Sequence, residues 1–263
     1  MNILITGGNS GIGRCIAEHL AEKGHTVLAT SRNPSKAKHS KFDFVELDIT
    51  SESSIKNLVD ELQKRRFEID VLINNAGIGI CGAFEDTPID LAREQIDTNF
   101  WGAASMTKAF LPQMRAQKKG RIIFITSLAG LIGVPYQSYY AASKHALEGL
   151  AKSIRHEVKE FGVSVSCVEP GFFRSNLHHS FKYAPHSNGQ YDSSREKALE
   201  VFSESIANAP EPLEIAKLVE RIIGSKSPKM SYKAGNDGKF LPFLQFLSYR
   251  LFEIGTRNKF RLP

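Results

Sequence analysis

Ile3-Leu4-Ile5-Thr6-Gly7-Gly8-Asn9-Ser10-Gly11-Ile12-Gly13 is a short apolar run followed at once by a glycine-rich turn. Ile12, Ile16, Ala17 and Leu20 then recur at helical spacing as far as Gly24, a helix stop. A strand, a tight turn and a helix N-terminus together make an anion site. Free backbone amides and the positive end of the helix dipole face the same point. The spacing Gly7, Gly11, Gly13 is looser than the common G-x-G-x-x-G fingerprint, and any tight strand-to-helix turn also favours glycine. What the rest of the chain repeats therefore decides the fold.

Working outward, Thr26–Thr30, Phe44–Leu47, Val71–Ile73, Ile122–Ile125 and Val163–Val168 are further strand-like runs, and Lys229–Tyr232 is a weaker seventh. Helical patterns separate them. Ser51-x-x-Ser54 opens one that runs through Leu62, a long one is expected from about Ile89 to Gln117, and another follows Ser138. Strand and helix alternate, and most strands are continuously apolar. This predicts an α/β fold: one Rossmann-type domain over residues 1–263, a doubly wound parallel sheet of about seven strands with helices on both faces. Polar residues and glycines gather at the strands' carboxyl ends, at Gly7, Ser31, Asp48, Asn74, Ser127 and Pro170. Open α/β sheets bind ligands along that edge, so a dinucleotide site is expected.

The end of the second strand bears on which dinucleotide. An acid there would bind a ribose 2′-hydroxyl, whereas Ser31-Arg32 offers a cation suited to a 2′-phosphate. The plain alternative is a surface Arg in the turn before Pro34. Ser138-Tyr139-Tyr140-Ala141-Ala142-Ser143-Lys144 opens a helix whose apolar stripe runs through Leu147, Leu150, Ala151, Ile154, Val158 and Phe161. Lys144 lies three residues before Leu147 and Tyr140 four before that, so phenol and ammonium share the buried face one turn apart. A cation beside a phenol favours phenolate and eases proton transfer near neutral pH. A core Tyr with a Lys snorkelling past it is the other reading.

Composition narrows the function classes. The 263 residues, 41% hydrophobic, suit one compact domain. The start, Met1-Asn2-Ile3-Leu4-Ile5, has no basic region or long apolar run, and no segment reaches the roughly 18 apolar residues of a spanning helix. A cytoplasmic location is expected. Cys15, Cys81 and Cys167 stand in apolar surroundings without metal-ligand spacing and read as reduced and structural. The net charge of +6 is spread out, and Lys118, Lys119 and Arg121 read as a solvated helix end. With no clustered basic face or reading motif, no nucleic-acid partner is expected.

These residues together resemble the short-chain dehydrogenase/reductase family. The motifs are Thr-Gly-x-x-x-Gly-Ile-Gly at Thr6 to Gly13, Asn-Asn-Ala-Gly at Asn74 to Gly77, Ser127, Tyr-x-x-x-Lys at Tyr140 to Lys144, and Pro-Gly at Pro170-Gly171. They come in family order over about residues 1 to 235. Within the family, Ala142 to Leu150 and Phe240 to Leu244 look most like hydroxysteroid and retinol dehydrogenases. The resemblance implies an NADP(H)-dependent oxidoreductase interconverting an alcohol and its ketone or aldehyde, the hydride coming from the cofactor. It implies Tyr140 as general acid/base, with Ser127 holding the substrate oxygen. Lys144 would grip the nicotinamide ribose and lower the Tyr140 pKa. Asn99 would hold a water that links Lys144 to solvent. An Asn inside a helix also predicts a local kink, an exposed polar residue being the alternative. The implied cofactor-binding set is Gly7, Asn9, Ser10, Gly11, Ile12, Gly13, Ser31, Arg32, Asp48, Ile49, Asn74, Ala76, Gly77, Tyr140, Lys144, Pro170, Gly171, Phe173 and Ser175. Ser175 stands where the family usually has Thr.

Around this site the chain offers Ile78, Ile80, Phe84, Leu128, Leu131, Ile132, Val134, Tyr136, Phe172, Phe173, Leu177 and Phe181, so a hydrophobic small-molecule substrate is expected. A pattern-poor segment of about 172–198 reads as a substrate lid. Its His178, His179 and His186 lack a carboxylate or Cys to complete a metal set, and no metal is expected. The apolar and basic tail of about 236–263 reads as packing on the core or on a second subunit, with peripheral contact to a membrane surface as the alternative. A homodimer or homotetramer is expected. A cofactor-binding sensor without turnover would have lost Tyr140, Lys144 or Ser127, and all are present. A sugar-nucleotide epimerase would resemble a longer chain with a different glycine spacing.

Overall fold

All seven apolar runs pair into one parallel sheet in the computed structural model, which describes residues 1–36, 41–174, 181–185 and 189–263. The chain runs β1 (Asn2–Ile5), α1 (Gly11–Glu22), β2 (Thr26–Ser31), β3 (Asp43–Glu46), α2 (Glu52–Lys64), β4 (Val71–Asn74) and β5 (Ile80–Cys81). It continues through α3 (Ile89–Ile96), α4 (Gly102–Ala116), β6 (Gly120–Ile125), α5 (Ser138–Val158), β7 (Val163–Pro170) and β8 (Lys182–Tyr183). The last elements are α6 (Asp192–Ala207), α7 (Leu213–Gly224), β9 (Ser231–Ala234), α8 (Asn236–Leu247) and α9 (Tyr249–Lys259). The sheet order is β3-β2-β1-β4-β6-β7-β9, as a doubly wound fold requires.

The strands are apolar throughout because alternate side chains enter two different cores. Leu4, Leu72, Ile122 and Val165 pack with Leu58 of α2, Met106 and Phe110 of α4, and Leu147 of α5. Their neighbours Ile3, Ile5, Ile73 and Ile123 pack with Ile16 and Leu20 of α1 and Val219 and Ile222 of α7. The strand order reverses between β1 and β4, which pair Ile3 with Val71 and Ile5 with Ile73. That reversal opens the crevice at the carboxyl edge where the functional residues meet.

Local sequence accounts for the element ends and for several departures from expectation. Ser51 caps α2 as its spacing predicts, its hydroxyl accepting the Ser54 amide at 3.2 Å. The single helix expected over Ile89 to Gln117 is instead α3 and α4 joined by a π-turn at Asp97–Trp101, and Asn99 lies fully buried in it. A π-turn inserts one extra residue into the helical ladder and redirects the side chains at the insertion. The kink expected at Asn99 is there, and the exposed-Asn alternative is not. Arg121 is no solvated helix end: it lies in β6, and its guanidinium donates to the Ile222 and Ser225 carbonyls at the end of α7, at 3.2 and 2.7 Å. Within the segment of about 172–198, the described residues include β8, which pairs with β5, and the start of α6 at Asp192, elements that its sequence pattern did not announce. Ser175, Leu177, His178, His179 and His186 lie outside the described residues.

The tail folds back on the domain. Leu241, Leu244 and Phe252 pack on Leu128 and Ile132, while Phe260 packs with Val201 of α6. The opposite face of α8 and α9 leaves Phe240, Phe243, Phe246, Leu247, Tyr249 and Leu251 exposed. Among the described residues, no helix is long and apolar enough to cross a membrane.

Candidate active site

The glycine-rich turn is held from beneath. The buried Thr6 hydroxyl accepts the amides of Asn75 and Ala76, each at 3.0 Å, and Asn75 donates its side-chain amide back to the Thr6 and Gly7 carbonyls at 2.9 and 3.1 Å. Asn75 was legible in the Asn-Asn-Ala-Gly motif but carried no expected role, and it proves to be the side chain that fastens the turn. Gly7 needs its left-handed φ of 66°. At Gly13 a Cβ would fall onto the Gly7 carbonyl and the Asn75 amide. The amides of Gly7 and Gly8 are taken by Thr30, each at 3.2 Å. Beyond them α1 starts at Gly11 with no side-chain cap and no acid in its first turn. Its leading amides and dipole are therefore available to an anion, with Asn9 and Ser10 exposed at the rim. This cradle fits the pyrophosphate of a dinucleotide.

At the end of β2, Ser31 is buried and its hydroxyl accepts the Asn33 amide at 3.1 Å, while Arg32 beside it is exposed. Asp48 at the end of β3 is exposed too. The Thr50 hydroxyl and amide donate to its carboxylate at 2.7 and 3.0 Å and hold it below the usual carboxylate range, with Arg32 adding to the effect.

Three expected cofactor residues turn their side chains away from the crevice. Ile49 is buried in the core against Gly102, Asn74 donates to Thr107 of α4 at 3.0 Å, and Phe173 is buried against the α1–α7 layer. They can meet a nucleotide only through backbone. Gly171 stays at the edge, its amide donating to the Ala234 carbonyl at 3.0 Å.

The residues expected to carry the proton transfer lie together beside this cradle. Lys144 is 5% exposed and donates to the Ile125 carbonyl at 3.0 Å. Burial lowers its pKa to about 8, although Cys167 and Glu148 act to raise it. The ammonium lies 5.8 Å from the centre of the Tyr140 ring. Asn99 accepts the Ile78 amide at 2.8 Å and donates to the Ile78 carbonyl and the Ser143 hydroxyl, each at 3.0 Å. Gly77 fits between: a Cβ there would sit 3.1 Å from Asn99 Oδ1 and 3.8 Å from Lys144 Nζ.

Tyr140 is packed against protein on most sides yet keeps part of its surface open. Its phenol pKa is raised, chiefly by burial and also by Cys81, while a hydrogen bond with Ser127 acts the other way. The expected lowering by Lys144 is not among the causes, because that ammonium is itself desolvated and directed at a carbonyl. At neutral pH the phenol therefore keeps its proton and the lysine its charge. The arrangement can deliver a proton to an oxygen held between Ser127 and Tyr140.

Outward from Tyr140 the wall is aromatic. Its ring meets Phe181 edge-on at 6.3 Å, Phe181 meets Phe202 of α6 at 5.2 Å, and Phe202 meets Phe172 at 5.5 Å. A separate recess of about 420 Å³ is bounded by Ala83, Phe84, Glu85, Tyr136 and Tyr191 and is not lined by Tyr140.

Residues 1–185 match the family model described as short chain dehydrogenase. The chain is 36% identical over 235 residues to 3-ketodihydrosphingosine reductase of Bacteroides thetaiotaomicron, covering 89% of this chain and 87% of that one. It is 32% identical over 249 residues to retinol dehydrogenase 8 of Bos taurus, covering 87% and 79%. Among solved structures, ElxO with NADP bound superposes with a TM-score of 0.75 at 25% identity, covering 90% of this chain and 98% of that one.

Proposed function

From membership of the short-chain dehydrogenase family, to which this chain belongs, we infer an NADP(H)-dependent oxidoreductase that interconverts an alcohol and its ketone or aldehyde on an apolar substrate. The observation that carries the reading is the meeting of Ser127, Tyr140 and Lys144 beside the uncapped glycine turn. The cofactor, when bound, supplies or removes the hydride. Every other task falls to side chains of this chain. Ser127 and Tyr140 hold the substrate oxygen, and Tyr140 gives it the proton during reduction and takes it back during oxidation. Burial keeps that proton on the phenol at neutral pH, which suits the reducing direction. Lys144, charged below about pH 8, would hold the nicotinamide ribose, and Asn99, fixed on Ile78 and Ser143, would hold a water that links the lysine to solvent.

Arg32 supports the choice of NADP(H), being exposed at the end of β2 where no acid stands. The aromatic wall from Tyr140 to Phe172 supports an apolar substrate. Two relatives carry the names of a keto reductase and a retinol dehydrogenase, which is consistent with it. The exposed apolar face of α8 and α9, with Arg250 and Arg257 exposed on α9, supports contact with an anionic lipid surface from which such a substrate would enter.

Three outcomes follow from this reading. Tyr140→Phe lowers turnover about a hundred- to ten-thousandfold while leaving NADPH affinity intact; a near-wild-type rate would move the chemistry elsewhere. Arg32→Ala weakens NADPH binding about ten- to a hundredfold and leaves NADH binding unchanged, as titration of each cofactor will read out. Equal wild-type affinities for the two would remove the 2′-phosphate reading. Catalytic efficiency with a steroid or long-chain ketone in anionic vesicles exceeds that with an acetone-sized ketone in water, and Phe246→Glu reduces only the former. A faster small ketone contradicts the substrate class.

A further inference from the structure

Helix α5 meets the end of β6 at three successive turns. Ser127 lies close enough to Tyr140 to lower its pKa, Lys144 donates to the Ile125 carbonyl at 3.0 Å, and one turn further the Thr126 hydroxyl lies 2.8 Å from Glu148 Oε1. The first two contacts belong to the acid/base set. The third falls on Glu148, which is 2% exposed and has no part in that chemistry. We propose that Glu148 is a positioning residue of the active site, fixing through Thr126 the register in which Ser127 faces Tyr140. The proposal rests on the acid/base reading of Tyr140 given above.

The hydrogen-bond geometry makes Glu148 the determining partner. The Thr126 hydroxyl has one proton and two acceptors in reach, Glu148 Oε1 at 2.8 Å and the Val168 carbonyl at 3.0 Å. The carboxylate is the stronger acceptor, and the Thr126 amide already donates to the Val168 carbonyl at 2.8 Å. Thr126 lies between Ile125, whose carbonyl holds Lys144, and Ser127, whose hydroxyl meets Tyr140, so rotation at Thr126 disturbs both. The turn after Ser127 cannot adjust independently, because a Cβ on Gly130 would sit 3.0 Å from the Lys144 carbonyl.

A buried carboxylate is a costly way to fill space at this point. The buried Glu169 of β7 stands close enough for Glu148 to help push its carboxyl up, after burial itself. An apolar side chain would fill the volume without that conflict but could not accept the Thr126 proton. Lys152 approaches the outer oxygen of Glu148 at 3.6 Å, and Cys167 of β7 lies near enough that the carboxylate, after burial itself, helps push its thiol up.

The charge has a second consequence. Tyr140 and Glu148 act on Lys144 from its own helix and Cys167 from β7, while Asn99 of the π-turn stands on the far side of Gly77. Burial lowers the Lys144 pKa and Glu148 opposes it, so loss of the charge lets the ammonium deprotonate at lower pH.

Substitutions separate the clamp from the charge. Thr126→Val and Glu148→Leu break the clamp from either side, Thr126→Ser keeps it, and Glu148→Gln keeps an acceptor oxygen while removing the charge. The clamp is read from Tyr140 ionisation, as the ultraviolet phenolate absorbance of each protein minus that of its Tyr140→Phe counterpart. That readout needs no substrate, so a protein that turns over no carbonyl compound would count against the proposed function alone. Thr126→Val and Glu148→Leu raise the Tyr140 midpoint, because the Ser127 bond that holds it down is lost, and they lower kcat about tenfold or more. Thr126→Ser restores both. Glu148→Gln leaves the midpoint in place and moves the alkaline fall of turnover to lower pH. A wild-type Tyr140 midpoint in folded Thr126→Val overturns the proposal, as does one in Glu148→Leu if the valine variant does not fold.

Discussion

A lysine ammonium held at 5% exposure is tolerable only where acceptors and nearby charge offset its lost hydration. Lys144 meets that condition in one place in the fold. The Ile125 carbonyl accepts the ammonium where β6 ends, and the π-turn sets Asn99 against Gly77, whose other side is the lysine. Glu148 adds negative charge one turn away. The site thus depends on two irregularities, a strand end and a π-turn, that a regular sheet and a continuous helix would not supply. Tyr140 then takes its position from the lysine's helix and its partner Ser127 from the lysine's strand.

The nucleotide side of the crevice follows a different logic. It offers backbone more than side chains: an uncapped helix start, a left-handed Gly7 and a Gly13 with no room for a Cβ. Side chains there act from below. Thr6 and Asn75 lash β1 to β4 across the point where strand order reverses, so the turn is held open by residues that need not touch a ligand.

Much of this was legible in the sequence, and the rest was hidden for definite reasons. Strands announce themselves because both faces of each are buried, so Ile3–Ile5 and Val71–Ile73 read without ambiguity. Helical spacing placed Tyr140 and Lys144 on one face, and a polar residue in an otherwise regular helix marked Asn99. Three things could not be read. Which way a strand-end side chain points depends on the partners the folded core offers: Asn74 meets Thr107, Ile49 meets Gly102, and Phe173 joins the α1–α7 layer. The sign of the Tyr140 shift is set by burial, and the neighbouring cation that spacing alone suggested is not among its causes. The pairing of β5 with β8 is a contact of two-residue strands far apart in sequence, below the length at which any period shows. Arg121 misled for a related reason: its position after Lys118 and Lys119 suggested solvent, but its guanidinium closes the end of α7.

In the proposed reaction Ser127 and Tyr140 would converge on one oxygen of the substrate while Lys144 would hold the nucleotide behind them. A crystal structure of the complex with NADP⁺ and a long-chain ketone tests it most directly. The account predicts the carbonyl oxygen within hydrogen-bonding distance of both hydroxyls and the nicotinamide ribose against the Lys144 ammonium. A ketone seated with its oxygen away from Tyr140, or a nucleotide lying off the Gly7–Gly13 turn, would contradict it.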